Sequence, residues 1–391
     1  MISDKMKEYV SKSSIIRAMF EEGKKLSSIY GEENVFDFSL GNPNVKPPES
    51  IREAVYEILR EEPPNLVHGY MNNSGYEDVR AKIAENINKK YNVKLTKNNL
   101  VMTCGAAGGL NIILKTLLNP GDEVIVFSPF FGEYENYVKN FDGRLVIIPS
   151  DSETFEPDLN ELEDKVNSRT KAVIINSPNN PTGVVYSEEL IKGMAEVLNR
   201  KQQKFNTSIY LISDEPYREI VYDGVEVPYI LNYYRNSFVG YSYSKSHIQR
   251  LHYVIKIICS SDADDFDNIM QSLNVANRIL GFVNAPSLFQ RVIAKCVDSK
   301  VDVNIYKKNR DLLYNHLVKI GFSCVKPDGA FYLFPKSLIP DDVEFAQRAK
   351  KFNLLIVPGS SFKCPGYFRL SYCISYDKIE KSLDSFDKLG V

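Results

Sequence analysis

Residues 172–183 read AVIINSPNNPTG. The apolar half, Ala172 to Ile175, predicts a buried β-strand, and the proline-rich half predicts a loop that begins where the strand ends. A second run, Ser208 to Ile212, has the same form and is followed at once by Ser213-Asp214-Glu215. Helical patterns lie between such runs, for example Glu77 to Lys90 with apolar residues at four-residue spacing. This alternation predicts an α/β fold with a mostly parallel sheet covered by helices on both faces.

Ligands of such sheets bind beyond the carboxyl ends of the strands. Leu100 to Thr103 predicts a strand that runs into a glycine-rich turn and then a helix from Leu110 to Leu118, and Glu123 to Phe127 predicts another strand. Polar or glycine-rich segments therefore follow several predicted strands. The candidates for a ligand site are Gly105-Ala106-Ala107, Asn180, Asp214 and Lys245.

The pattern changes in the C-terminal third. A long helical stretch is predicted from Pro286 to Lys319, followed by strands at Phe322 to Val325, Gly329 to Phe334 and Phe368 to Tyr372. These elements suit a smaller α+β domain, and Leu40-Gly41-Asn42-Pro43 has the composition of an inter-domain turn. We therefore expect a large domain at 45–285 and a small domain made of 1–44 and 286–391.

Composition narrows the class of protein. Of the 391 residues, 43% are hydrophobic and 25% charged, which is typical of a globular protein. The net charge of −2 gives no reason to expect nucleic acid or an anionic membrane as a partner. No apolar run approaches the roughly 18 residues of a membrane span, and the N-terminus has no signal-peptide core. Six scattered cysteines and four histidines predict reduced thiols in the cytoplasm and no metal site.

Taken singly, the candidate residues have two interpretations each. Gly105-Ala106-Ala107 offers backbone N–H groups and a helix N-terminus to a phosphate, but a turn without a ligand has the same sequence. Asp214 can pair with a cationic ring nitrogen or cap a helix. Lys245 can be a solvated surface lysine. Neither composition nor spacing decides between these alternatives.

Four motifs occur in a fixed order along the chain: Asn176 to Gly183 (NSPNNPTG), Ser213 to Tyr217 (SDEPY), Ser242 to Lys245 (SYSK) and Phe368 to Tyr372 (FRLSY). Together they resemble the fold-type I pyridoxal-phosphate-dependent enzymes and, among these, the class I/II aminotransferases of the aspartate aminotransferase type. The resemblance extends over essentially the whole chain. It implies pyridoxal 5'-phosphate as the cofactor and a homodimer with shared active sites.

The resemblance also assigns the catalytic residues. Lys245 matches the lysine that holds the cofactor as a Schiff base and moves the substrate proton. Asp214 matches the carboxylate that faces the pyridine nitrogen and keeps it protonated. Asn180 and Tyr217 match the pair that hydrogen-bonds the 3′-oxygen of the ring.

Other residues match cofactor and substrate contacts. Ala106, Ala107 and Ser242 match phosphate donors, and Tyr70 matches a tyrosine that reaches the phosphate from the neighbouring subunit. Phe131 matches the aromatic residue that stacks on the ring, although packing in the core is an alternative. In the substrate site, Arg369 matches the arginine that binds the α-carboxylate, and Gly41 lies where the family brings backbone close to that carboxylate.

The implied reaction is a two-stage transamination between an L-amino acid and a 2-oxo acid. A β-lyase or decarboxylase with the same cofactor is an alternative, and a non-catalytic cofactor-binding regulator is an alternative of another class. We expect aspartate with 2-oxoglutarate as substrates. The distal carboxylate then needs a second cation, for which Arg278 and Arg17 are candidates; a surface salt bridge is the other interpretation of both.

The segment 247–257 departs from the family pattern. In the family the lysine is followed by a glycine-containing loop and, eight residues on, by an arginine that pairs with the cofactor phosphate. Here the residue eight positions after Lys245 is Tyr253, and Arg250 comes three positions earlier. Two explanations stay open: compensating frame shifts in the coding sequence, or a diverged loop in which Arg250 or Lys256 substitutes.

Overall fold

The computed structural model describes residues 2–11, 15–43, 48–243, 245, 254–299 and 302–390, including their side chains except at 11 and 15–20. The segment 246–253, which carries most of the predicted departure from the family loop, lies outside the described residues, as does the side chain of Arg17. Within the described part of the chain, no helix combines the length and the apolar composition needed to cross a membrane.

The β-strands of the described residues form three groups. Their bounds are β1 (Phe36–Asp37), β2 (Leu100–Thr103), β3 (Glu123–Ser128), β4 (Arg144–Pro149), β5 (Thr170–Asn176), β6 (Tyr210–Asp214), β7 (Ser237–Ser242), β8 (Ile255–Cys259), β9 (Tyr332–Leu333), β10 (Leu354–Leu355), β11 (Val357–Pro358) and β12 (Phe368–Ser371).

The α-helices alternate with the strands through most of the chain. Their bounds are α1 (Asp4–Ser11), α2 (Ile15–Tyr30), α3 (Glu49–Glu61), α4 (Pro64–His68), α5 (Glu77–Tyr91), α6 (Gly105–Leu117), α7 (Glu133–Asn140), α8 (Leu159–Lys165), α9 (Glu188–Phe205), α10 (Phe266–Ile279), α11 (Ser287–Lys295), α12 (Asn304–Lys319), α13 (Asp342–Lys350) and α14 (Tyr376–Leu389).

The main sheet has seven strands in the order β2-β8-β7-β6-β5-β3-β4. Its neighbours pair in parallel except at β8, which runs antiparallel to both β2 and β7. The predicted α/β fold with a mostly parallel sheet is therefore confirmed. Because the parallel strands β5, β6 and β7 are adjacent, their carboxyl ends lie side by side.

Helices cover both faces of the main sheet. In β5, Val173 and Ile175 belong to the core under α5, α9 and α11, whereas Ala172 and Ile174 belong to the core under α6, α7 and α10. The alternation follows from the two-residue period of a strand. It explains why the sequence of β5 is apolar at successive positions: both of its faces are buried.

A second core, which we call the C-terminal core, is built from β1, β9, β10, β12 and the helices α12, α13 and α14. Phe36 and Phe38 from the N-terminal segment are buried in it, and β1 pairs in parallel with β10. Tyr217, from the turn after β6, is buried in this core as well. The carboxyl edge of the main sheet is thus in contact with the C-terminal core. The predicted boundaries near residues 44 and 285 stay a prediction.

Several predicted elements have different bounds in the structure. The helix predicted at Leu110 to Leu118 begins five residues earlier, at Gly105, and the stretch from Pro286 to Lys319 contains two helices, α11 and α12. The strand predicted at Phe322 to Val325 is wrong. Phe322 is buried in the C-terminal core, but its segment lacks the repeated backbone hydrogen bonds of a β-ladder. The backbone N–H of Lys336 donates one hydrogen bond to the carbonyl of Ser323.

Candidate active site

A cavity of about 320 Å³ lies at the carboxyl ends of β5, β6 and β7, between the main sheet and the C-terminal core. Ten of the residues predicted from the sequence line it: Gly41, Ala106, Ala107, Phe131, Asn180, Asp214, Tyr217, Ser242, Lys245 and Arg369. Residues separated by more than 300 positions are therefore brought together by the fold.

One end of the cavity suits an anion. Helix α6 begins at Gly105, whose φ of +67° is a conformation that glycine adopts without strain. The N-cap residue, Cys104, makes no side-chain cap hydrogen bond. The first-turn N–H groups of Ala106 and Ala107 give this end of the cavity a partial positive charge. Ser242, the last residue of β7, is buried beside them. Backbone amides at a helix N-terminus are a common phosphate site.

The other end contains a buried carboxylate. Tyr134 of α7 donates its hydroxyl hydrogen to Asp214 Oδ2 at 2.6 Å, whereas Asp214 Oδ1 is buried and has no hydrogen-bond partner among the described residues. Burial raises the pKa of Asp214 to about 6, against the opposing effect of the Tyr134 hydrogen bond, and the charge of Glu215 adds to the rise. An unpartnered carboxylate oxygen of this kind favours a cationic N–H as its ligand.

Phe131 and Tyr134 form the wall next to Asp214. Their rings are 5.8 Å apart and nearly perpendicular, at 84°. Phe131 both lines the cavity and packs against the core under α6, α7 and α10. Its role as a stacking residue stays a prediction. Tyr134 was not predicted from the sequence, because no motif marks it and its direction depends on the phase of α7, which begins at Glu133.

Arg369 of β12 is buried among aromatic rings. Its Nη1 donates to Asn180 Oδ1 at 3.0 Å and its Nη2 donates to the carbonyl of Ser39 at 2.5 Å. The guanidinium carbon lies 4.7 Å from the ring centre of Tyr332 and 4.9 Å from that of Phe362. Burial lowers the pKa of Arg369.

The guanidinium of Arg369 still has binding capacity. Within the described part of the chain, the Nε of Arg369 is buried and has no hydrogen-bond partner. A buried cation in this state suits a carboxylate ligand.

Lys245 approaches the same region. Its Nζ donates to the carbonyl of Gly41 at 2.5 Å. Burial lowers the pKa of Lys245; the Cys373 thiol opposes this and the Arg369 guanidinium adds to it. A lysine with a lowered pKa has more of the neutral amine that nucleophilic and base chemistry need.

Tyr217 completes the predicted set, and its hydroxyl lies 2.8 Å from the hydroxyl of Tyr332. Two other predicted residues lie elsewhere. Tyr70 is 96% exposed, and Arg278, near the end of α10, is exposed as well. Neither lines the cavity of its own subunit.

Comparison with known proteins agrees with this arrangement. The family described as "Aminotransferase class I and II" matches residues 33–386. The chain is 31% identical to the aspartate aminotransferase of Thermotoga maritima, over 97% of both chains. It is also 31% identical to the probable aspartate aminotransferase of Methanocaldococcus jannaschii, over 98% of both.

Solved structures show the same fold. An amino transferase from Eubacterium rectale superposes with a TM-score of 0.96 at 42% identity, covering 100% of this chain and 98% of that one. Aspartate aminotransferase from Thermus thermophilus with maleate superposes with a TM-score of 0.89 at 25% identity, covering 100% and 99%. This chain therefore belongs to the class I and II aminotransferase family. The predicted class of enzyme, a pyridoxal-phosphate-dependent aminotransferase, is confirmed.

Proposed function

We propose that this aminotransferase transfers the amino group of aspartate to 2-oxoglutarate through pyridoxal phosphate bound at Lys245. The observation that carries the proposal is the convergence of three groups on one cavity: the Asp214 Oδ1 without a partner, the Lys245 amine and the Arg369 guanidinium. Each would contact a different part of the cofactor or the substrate.

The residues of the cavity fit this cofactor. Asp214 Oδ1 would accept a hydrogen bond from the protonated ring nitrogen, the N-terminus of α6 and Ser242 would hold the phosphate, and Lys245 would bind the aldehyde carbon. Tyr217 and Asn180 would face the ring oxygen. When bound there, the cofactor supplies an acceptor for the electrons released as the substrate Cα loses its proton.

Arg369 would bind the carboxylate of the substrate, and Lys245 would move its proton. A carboxylate placed against the free Nε side of Arg369 accepts charge-assisted hydrogen bonds, which fix the orientation of Cα. Because burial lowers the pKa of Lys245, its Nζ, once the substrate amine has displaced it from the aldehyde carbon, would take a proton from Cα and return it to that aldehyde carbon. The rings of Phe131, Tyr134 and Tyr137 line the cavity and exclude water from this transfer.

The preference for aspartate rests on the names of the relatives and on charge. Of the described residues that line the cavity, Lys245 and Arg369 are the cationic ones, and both have other roles. A distal carboxylate therefore needs a cation beyond these two. Arg17, whose side chain lies outside the described residues, and Arg278 are the candidates, and we propose that Arg278 of the partner subunit supplies it. A homodimer follows from this proposal. The cysteines are all unpaired, which supports a reducing compartment such as the cytoplasm.

The test is a substrate panel with the cofactor-loaded protein. Aspartate, glutamate, alanine and tyrosine are each supplied with 2-oxoglutarate, and products are identified by mass. We expect aspartate to give the highest kcat/KM, with one 2-oxo acid formed per amino group transferred. Release of ammonia or CO₂ without amino transfer would instead support a lyase or a decarboxylase.

Lys245→Ala tests the cofactor site in the same preparation. Borohydride reduction of the loaded wild type should fix the cofactor mass on the peptide that contains Lys245, and the variant should lose both the mass and the activity. Lys256→Met is the matched control, because Lys256 is also a buried lysine but does not line this cavity. A Lys245→Ala protein that retained reducible cofactor would exclude the assignment.

A further inference from the structure

Tyr332 of β9 connects two parts of the cavity that the reaction uses separately. Its side chain is 2% exposed. Its hydroxyl lies 2.8 Å from the hydroxyl of Tyr217, and its ring lies 4.7 Å from the guanidinium carbon of Arg369. Tyr217 follows a strand of the main sheet, whereas Arg369 belongs to the C-terminal core. Tyr332 therefore touches both the residue that faces the cofactor and the residue that faces the substrate carboxylate.

Packing fixes the position of the Tyr332 hydroxyl. A Cβ atom built on Gly41 would lie 2.1 Å from this hydroxyl oxygen, so only glycine fits at position 41. The carbonyl of the same Gly41 accepts the hydrogen bond from Lys245 Nζ. The ring also lies against Phe331 at 5.0 Å. The hydroxyl of Tyr332 therefore has little freedom to move away from the hydroxyl of Tyr217.

We propose that Tyr332 is a positioning residue: it donates its hydroxyl hydrogen to Tyr217, directs the hydrogen of Tyr217 toward the bound cofactor, and so reports the occupancy of Arg369 to that site. This inference rests on the proposed cofactor and carboxylate sites. It adds to them a residue that touches neither the reacting bond nor, by our assignment, the substrate carboxylate itself.

The direction of the hydrogen bond follows from the proposed contact of Tyr217 with the ring oxygen. The Tyr217 hydroxyl has one hydrogen, and if it donates that hydrogen to the cofactor it can only accept from Tyr332. Burial raises the pKa of Tyr332 to about 12; Arg369 and the Tyr217 hydroxyl oppose the rise, and Cys373 adds to it. Burial raises the pKa of Tyr217 well above its ordinary value. Both phenols therefore keep their hydrogens at neutral pH, and each is able to donate. A carboxylate bound to Arg369 offsets the guanidinium charge, which makes Tyr332 a weaker donor and weakens the hydrogen bond that Tyr217 gives in turn.

The measurement is the pH midpoint of the visible absorption of the bound cofactor. A hydrogen bond to the ring oxygen withdraws charge and lowers the pKa of the cofactor, so loss of the relay raises the midpoint. In Tyr332→Phe we expect a rise of about half to one pH unit, the equivalent of one neutral hydrogen bond. We also expect kcat to fall by about 3- to 10-fold, with KM changed less than kcat.

Propionate is the probe of communication with Arg369, because it has a carboxylate but neither an amino nor an oxo group. It should raise the midpoint of the wild type, and Tyr332→Phe should lose more than half of that shift. Tyr372→Phe is the matched control: Tyr372 is buried in the same core and its hydroxyl lies 3.4 Å from that of Tyr222, but it does not line the cavity.

The outcomes separate this inference from the proposed function. A wild type that takes up no cofactor, or shows no response to propionate, defeats the proposed site and the relay with it. A normal wild type with an unchanged midpoint and propionate shift in Tyr332→Phe overturns the relay alone, as does an equal change in Tyr372→Phe. If Tyr332→Phe does not fold, 3-fluorotyrosine at position 332 keeps the ring and makes the hydroxyl more acidic; the midpoint must then fall.

Discussion

Asp214 shows how a single residue can be arranged for a ligand rather than for the stability of the fold. Both oxygens are buried, but Tyr134 satisfies only one of them. Burial is also the main reason that the pKa of this carboxyl is raised to about 6. A carboxylate with a raised pKa destabilises the folded protein wherever it is charged, and a cationic partner reverses the effect.

We predict that Asp214→Asn stabilises the protein freed of cofactor while it impairs the loaded enzyme. The folded pKa lies above the unfolded value of 3.8, so the penalty develops as pH rises from about 4 to about 6 and persists above. It amounts to at most about 3 kcal/mol. In urea at pH 8, the free energy of unfolding of Asp214→Asn should therefore exceed that of the wild type, and this difference should vanish near pH 4. Loss of the charged partner should lower kcat/KM by at least about 30-fold.

Asp342→Asn is the control for this prediction. Asp342 is also buried, but both of its oxygens accept hydrogen bonds from Ser360. The amide at 342 should not stabilise the protein at any pH. An Asp214→Asn protein that is less stable than the wild type at pH 8 would contradict the interpretation of Asp214.

At the scale of single residues, the sequence predicted those active-site residues that belong to a distinctive motif. Lys245, Asp214 and Arg369 each stand in a short pattern of fixed order, and all three line one cavity. Tyr134 and Tyr332 were missed because nothing in their own surroundings distinguishes them from other tyrosines. Tyr134 depends on the phase of α7, and Tyr332 depends on how two cores meet. Neither quantity can be read from spacing along the chain.

At the scale of elements, β8 lies in the interior of the main sheet, between β2 and β7. Ile257 and Ile258 face opposite cores, which explains the apolar composition of the strand. Lys256 is the exception. Its side chain is 7% exposed, and its Nζ lies 4.2 Å from the ring centre of Tyr241.

We predict that Lys256→Met stabilises the protein, and more so at low pH. Burial lowers the pKa of Lys256 from 10.5 to about 7. The folded protein therefore binds fewer protons than the unfolded chain between about pH 7 and 10.5, and stability rises with pH through that window. The penalty at pH 7 is at most about 4 to 5 kcal/mol. The gain in unfolding free energy for Lys256→Met should be largest at pH 7 and should shrink toward pH 10.

Lys90→Met controls for the other groups that titrate at high pH. Lys90 lines the same cavity as Lys256, but its Nζ pairs with Glu219 at 2.6 Å, so its removal should not stabilise the protein. A gain for Lys256→Met that is equal at pH 7 and pH 10 would refute the assignment to charge burial. A large gain in unfolding free energy for Lys256→Met would also favour the first explanation of the unusual segment 247–257, namely compensating frame shifts in the coding sequence. Resequencing of the coding region tests that explanation directly.

The elements themselves were predicted where a strand is apolar on both faces and ends at proline or glycine, as β2 and β5 do. The error at Phe322 to Val325 has a different cause. Phe322 is buried in the C-terminal core, and the sequence signals that burial. Whether a buried segment also forms a ladder depends on a partner strand that is distant in sequence.

At the scale of the whole molecule, one surface is more apolar than a solvent-exposed surface needs to be. Tyr70 is 96% exposed, and large apolar side chains on the helices that precede it and on α10 are exposed as well: Tyr56, Leu59, Leu66, Val275 and Ile279. Exposed apolar side chains in such numbers favour an interface with another protein. The proposed function requires that a second copy of the chain bind here and that Tyr70 and Arg278 lie next to the cavity of that partner.

We predict that active sites are shared between two subunits, and that Arg278 reads the distal carboxylate of the substrate. In Arg278→Ala, kcat/KM for aspartate and glutamate should fall by at least about 30-fold, because a buried carboxylate is left without its cation, whereas kcat/KM for alanine should change little.

Co-expression of Arg278→Ala with Lys245→Ala, each with its own affinity tag, allows the hybrid dimer to be purified. One of its sites then carries both changes and the other carries neither, so the hybrid should show about half of the wild-type activity with aspartate. Arg235→Ala is the control for the loss of an exposed arginine, because Arg235 pairs with Asp264 within its own subunit at 2.8 Å. In a hybrid of Arg235→Ala with Lys245→Ala, the one functional Lys245 has an intact Arg278 whichever subunit supplies it. Sharing of the sites therefore does not change the activity of this control hybrid. Hybrids of Arg278→Ala and Lys245→Ala that remain inactive would show that the two residues act in the same subunit, and equal losses for alanine and aspartate would return Arg278 to the role of a surface charge.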